Sequence, residues 1–124
     1  MEFIKTKKGI ATFENFWGEE LKSVFLRHTS LRTSEITLTH IADKQIIPDA
    51  LEFIYQRGIG KPSDYWDVRI ETASGRKYQS THRFSCSIYD EDAGRVILGV
   101  NGESERLYVS YPASGDCSTG MNVI

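Results

Sequence analysis

Residues 48–58, PDALEFIYQRG, carry the strongest helix signature in the chain. Pro48 suits a first helical turn, and Asp49 and Glu52 favour its positive amino end. Arg57 favours the carboxyl end, and Gly58 supplies a left-handed stop. Leu51, Ile54 and Tyr55 form an apolar stripe. A second helix is expected upstream, capped by Asn15 and running to about Arg27. Glu19 and Glu20 sit in its early turns, and Phe16, Leu21, Val24, Phe25 and His28 fall near helical spacing.

Elsewhere the chain reads as strand, with a period of two from Tyr65 onward. SEITLTHI (34–41) is rich in β-branched residues. In YWDVRIE (65–71), Trp66, Val68 and Ile70 share one face, with Asp67, Arg69 and Glu71 on the other. KYQSTHRFSCSIY (77–89) alternates over one long strand, placing Tyr78, Ser80, His82, Phe84, Cys86 and Ile88 together. RVILGV and RLYVSY are strands joined at Asn101-Gly102, a strong hairpin signal. The first residues form a short strand or hairpin around Lys8-Gly9. The tail PASGDCSTGMNVI reads as loop, with one edge strand at most. The expected fold is α+β: two helices packed on one face of a mainly antiparallel four- to five-stranded sheet, in a single domain over residues 1–124.

The 124 residues, 40% hydrophobic and 26% charged, suit one ordinary globular core. No apolar run nears the ~20 residues of a membrane span. The amino terminus has lysines but no long apolar region, so no signal peptide and a cytoplasmic location are expected. Cys86 and Cys117 are too few for a disulfide framework. They leave room for one bridge, while a cytoplasmic location favours two reduced thiols, Cys117 the more exposed. The net charge of −2 is uneven: residues 85–124 hold two Lys/Arg against six Asp/Glu, a net −4. That acidity argues against a nucleic-acid partner on this surface.

The motifs of catalysis and metal binding break down on inspection. Asp90 and Asp92 begin a calcium-loop pattern, but Gly94, Arg95 and Asn101 occupy positions that need a ligand, a glycine and a glutamate. RGIGKP superficially matches a phosphate loop, yet it follows a predicted helix, and Pro62 follows the lysine. His28, His40 and His82 lack metal-ligand spacing. His82 and Cys86, four residues apart on a strand, are ~13 Å from one another, beyond hydrogen-bond reach. The carboxylate pairs Glu19/Glu20, Asp90/Asp92 and Glu103/Glu105 are expected to be exposed, without the burial that acid–base work requires. No enzyme, cofactor or metal is expected.

Aromatic residues beside acidic turns point instead to partner binding. Tyr65, Trp66, Tyr89, Tyr108 and Tyr111 exceed what a one-sided sheet buries, and tyrosine and tryptophan anchor protein contacts. The acidic turns would steer a basic partner. The order of features from PDALEFIYQRGIGKP through YWDVRIE to LGVNGESERLYVSYPASGDCSTG resembles bacterial immunity proteins that protect against polymorphic toxins, including secreted deaminases. The similar residues are Gly99, Val100, Gly102, Leu107, Tyr108, Ser118 and Gly120, within the carboxyl two-thirds. The resemblance implies inhibition by plugging a toxin's active-site cleft. The expected contact residues are Tyr89, Asp90, Glu91, Asp92, Glu103, Glu105 and Tyr108, facing a basic toxin domain. The alternative is a phage or host protein that sequesters a nucleotide-type signal. There, Arg57, Lys61, Arg69 and Arg83 would hold phosphate, and Tyr65 or Trp66 would stack on the base.

Overall fold

A computed structural model describes residues 4–124. Ten strands form one continuous sheet: β1 (Ile4–Phe16), β2 (Leu21–Thr29), β3 (Thr33–Ile41), β4 (Ile46–Gly58), β5 (Tyr65–Thr72), β6 (Lys77–Ser80), β7 (Phe84–Ser85), β8 (Arg95–Asn101), β9 (Arg106–Tyr111) and β10 (Gly115–Val123). The helical content is one 3₁₀ turn, Asp90–Asp92, and no α-helix occurs among the described residues. The spatial order is β3-β2-β5-β6-β10-β9-β8-β1-β4, with β7 against β5. All pairings are antiparallel except β1 with β8. The two terminal strands, β3 and β4, are joined by a short turn, and Ser30 Oγ donates to the Ile54 carbonyl across the seam at 3.2 Å. The sheet is therefore a nearly closed barrel. No helix among the described residues is long and apolar enough to cross a membrane.

This overturns the α+β expectation, and β-bulges explain why. Along β2 the pairing advances from Leu21 to Ser23 while β5 moves only from Thr72 to Glu71. The extra residue, Lys22, sends both Leu21 and Val24 inward, three positions apart, before strict alternation resumes with Leu26 and His28. A bulge thus imitates helical spacing. In β4, β1 advances two residues from Ala11 to Phe13 while β4 shifts four, from Leu51 to Ile47. Asp49 takes a left-handed φ of 54° in this kink, a conformation aspartate tolerates. Ala50 and Leu51 are consecutively buried, then Phe53 and Tyr55 alternate inward. Pro48 and Gly58 are turn signals here too, but they bracket a kinked strand.

Three strand expectations also change. The first stretch is one strand, β1, with Gly9 packed under the Phe53 ring; a Cβ at Gly9 would lie 2.4 Å from it. The start of that stretch, residues 1–3, lies outside the described residues. The long strand over residues 77–89 is broken into β6 and β7, and His82 is exposed at the break. The tail is not loop: β10 is an interior strand between β9 and β6. The expected strands over 34–41, 65–71, 95–100 and 106–111 are present as β3, β5, β8 and β9.

The barrel interior is filled. Phe13, Leu21, Val24, Leu26, Phe53, Trp66, Val68, Leu98, Val100, Leu107 and Val109 are fully or almost fully buried in one core. Asn15 is buried with them and ties two turns together. Its amide donates to the Glu19 and Ala42 carbonyls at 3.0 and 2.9 Å, and its Oδ1 accepts the Trp17 N–H at 3.0 Å.

Candidate functional site

A hollow of about 690 Å³ lies at the barrel end where β4 finishes, between the β4–β5 loop and residues 87–91. Gly58 and Gly60 adopt φ of 113° and 75°, which only glycine reaches cheaply, and swing the loop outward. The hollow is lined by Arg57, Lys61, Ser63, Ser87, Tyr89, Asp90 and Glu91, among others.

Next to the lining residue Ser63 stands Asp64, which is buried and does not line the hollow itself. One carboxylate oxygen lies 2.6 Å from His28 Nε2, and the other accepts the Ile88 N–H at 3.0 Å. The Asp64 carbonyl accepts the Cys86 N–H at 3.0 Å. The other ring nitrogen of His28, Nδ1, has no partner among the described residues. The His28 ring is packed between Phe53 and Trp66, at 4.6 and 4.7 Å between centroids. Beside this pair the Tyr111 hydroxyl donates to the Cys86 carbonyl at 2.5 Å, and Trp66 Nε1 donates to the same carbonyl at 3.0 Å. Burial pushes the Tyr111 phenol far above its ordinary range. Cys86 is covalently joined to Cys117 of β10. The expectation of two reduced thiols is thereby corrected: strand pairing brings together cysteines 31 residues apart, which no local signal announces.

The wall is the 3₁₀ turn. Asp92 is fully buried and accepts from Tyr89 N at 2.9 Å, Ala113 N at 3.1 Å, Ser114 N at 2.8 Å and Ser114 Oγ at 2.6 Å. Burial alone would raise its pKa; the hydrogen bonds from Ser114, Tyr89 and Ala113 outweigh that and hold it below the usual carboxylate value. Asp90 pairs with Arg57 at 3.0 Å. Burial, and then the Asp90 charge, push the Tyr55 phenol up. Lys61 Nζ donates to the Ile88 carbonyl, stands 3.9 Å from Asp64 Oδ2 and lies 4.9 Å from the centre of the Tyr89 ring.

The seven expected contact residues are thus divided. Tyr89, Asp90 and Glu91 line this mouth. Asp92 does not face solvent; it anchors the wall. Glu103 and Glu105 are exposed in the β8–β9 turn, at the other end of the seven-residue β8, roughly 23 Å away. Tyr108 is half-buried on β9, its hydroxyl 3.2 Å from Ser104 Oγ. The alternative set divides as well. Arg57 and Lys61 belong to the mouth, Tyr65, Arg69 and Arg83 to the outer wall, and Trp66 to the core. Tyr111, expected to be exposed, is also buried. Sequence reasoning missed His28 and Asp64 as a pair, since 36 residues separate them and nothing in SDY marks a buried carboxylate.

His28 and His82 approach different carboxylates, Asp64 and Asp67, and His40 is exposed at the end of β3. Among the described residues no three His, Cys, Asp or Glu side chains gather as a metal site. The chain matches no protein-family model and no curated protein sequence.

Proposed function

We propose that this chain is a binding protein of the immunity or inhibitor type, which occludes the active site of a basic toxin domain and catalyses nothing itself. The observation that carries this reading is the mouth at the barrel end. There the cations are already engaged, Arg57 by Asp90 and Lys61 by the Ile88 carbonyl and Asp64. Glu91 has no cation within 4 Å among the described residues, and Tyr89 is 53% exposed. An aromatic anchor beside an unneutralised carboxylate suits a basic segment. The Cys86–Cys117 bridge favours work in an oxidising compartment over the cytoplasm expected earlier.

The test is co-expression with whatever basic toxin domain a neighbouring gene encodes, exported to the same compartment. Wild-type chain restores growth. Glu91→Lys and Tyr89→Ala, both at exposed positions, leave stability within about 0.5 kcal/mol but lose the protection. Absence of protection by the wild type, or full protection by both variants, sinks the reading. A second reading, capture of a nucleotide-type ligand, is favoured by Arg57, Lys61 and Tyr89 lining one hollow. It requires a thermal shift with a nucleotide panel that Tyr89→Ala abolishes.

A further inference from the structure

The outer wall of the barrel carries a second cluster, sharing no residue with the mouth. Cross-strand partners lie on one face of a sheet. Phe25 stands opposite Arg69, and Arg27 opposite both Asp67 and Glu35; Arg69 in turn faces Gln79. All of these project away from the core that Leu26 and Val68 enter. The Arg69 guanidinium lies 4.4 Å from the centre of the Phe25 ring, Arg27 lies 5.5 Å from the same ring, and Arg83 lies 4.2 Å from the Tyr65 ring. Stacking holds a guanidinium in place while leaving its N–H edge free for a bidentate acceptor.

Beside this ladder the sheet is interrupted. β6 ends at Ser80 and β7 begins at Phe84, and between them Arg83 takes a left-handed φ of 52°. Such a backbone in a long side chain is costly and persists where surroundings impose it. Side chains satisfy the ladder groups that the break exposes: Ser80 Oγ accepts Val68 N at 3.0 Å, and Asp67 Oδ1 accepts Arg83 N at 2.9 Å. The break leaves a cleft of about 270 Å³, lined by Arg27, Asp67, Val68, Arg69, Gln79, Ser80 and His82. Asp67 is buried and its charge is met by Arg27 at 3.4 Å. Arg69 and Arg83 have no carboxylate within 4 Å among the described residues. One uncompensated, ring-stacked guanidinium, Arg69, therefore lines a polar cleft, and a second, Arg83, stands on Tyr65 beyond its edge, in a chain whose net charge is −2.

We propose that this cleft binds a tetrahedral oxyanion, the phosphate or sulfate group of a larger ligand. Arg69 would engage it bidentately from one side and Arg83 from the rim, and the Gln79 amide would donate from β6. The sequence groups Arg69 and Arg83 with Arg57 and Lys61 as phosphate contacts, but Arg57 and Lys61 lie at the barrel-end mouth, and the parts of this cleft, from residues 27–82, meet only through strand pairing.

Calorimetric titration of the whole chain at low salt with inorganic phosphate, inorganic sulfate and pyrophosphate tests the site. Saturable binding of at least one is expected, weakened about tenfold by Arg69→Gln and by Arg83→Gln. Arg69→Lys, which keeps the charge without the fork, falls between and decides the matter if Arg69→Gln does not fold. Arg57→Gln at the barrel-end mouth leaves binding unchanged. Equal binding of phosphate and sulfate assigns a general oxyanion site, and preference for pyrophosphate assigns a phosphate chain. No heat with any of the three at tens of millimolar, or undiminished binding by folded Arg69→Gln, overturns the proposal.

Discussion

Removing the Asp92 carboxylate should loosen the wall of the barrel-end mouth and cost a large part of the fold's stability. The side chain is fully buried and takes four hydrogen bonds, three from backbone N–H groups at Tyr89, Ala113 and Ser114 and one from the Ser114 hydroxyl. Asp92→Ala leaves those donors without an acceptor in a place water reaches poorly. Each orphaned donor costs about 1–3 kcal/mol, and water returning to the turn recovers part of that, so the net loss is about 3–5 kcal/mol. In a chain of this size that lowers Tm by on the order of 10–20 °C. Asp92→Asn keeps the shape but trades one acceptor oxygen for a donor, and should cost about half as much. The pH dependence separates charge from shape. The native carboxyl is held below its ordinary value of 3.8, so the unfolded chain takes up the proton first as pH falls. Its stabilising contribution is complete above that ordinary value and is lost as pH drops through the lower native value. Urea unfolding of the wild type and Asp92→Asn at neutral pH and across the acid range measures both effects. The gap between the two proteins should narrow as pH falls below about 4. A loss under about 1 kcal/mol for Asp92→Ala, or a gap that does not narrow in acid, would refute the reasoning.

Two further perturbations follow from single contacts. Reducing the Cys86–Cys117 bridge, or Cys117→Ser, opens a loop spanning 31 residues and should cost about 3–4 kcal/mol in the chain-entropy picture; thermal melts with and without reductant check it, and unchanged melts count against the bridge. Gly102→Ala puts a Cβ 1.8 Å from the Trp17 carbonyl oxygen, at the turn where Gly102 N–H donates to Phe16 O at 3.1 Å. It should destabilise by about 2 kcal/mol or more, read by denaturant midpoint. Gly75→Ala, which meets no atom within 4 Å and suffers only from its φ of 91°, should cost less than Gly102→Ala.

Part of the candidate site was legible. Tyr89, Asp90 and Glu91 stand out as an aromatic–acidic turn after a strand, and they do line the mouth. Asp92 has the same local character, yet it is buried, because the β9–β10 turn presents three donors at that one position of the 3₁₀ turn. Glu103 and Glu105 look equivalent to Asp90 and Glu91 in the sequence, but an intervening strand carries them to the opposite end. His28, Asp64 and the cleft at Asp67 had no local mark, since each depends on partners tens of residues away.

Alternation in YWDVRIE was enough by itself to establish β5 and to set Trp66, Val68 and Ile70 on one face, and RVILGV and RLYVSY were legible as the strands β8 and β9, because a strand's two faces differ in burial at every second residue. In residues 15–27 and 48–58 the same physics was hidden by bulges, whose extra residues break the period and imitate a helix. Only the closed arrangement of neighbouring strands decided those segments, since a nearly complete barrel gives β2 and β4 ladder partners that no isolated helix of similar length would have in water. It also decided the Cys86–Cys117 bridge and the pairing of His28 with Asp64, because contacts between residues far apart in the chain exist only after register is set.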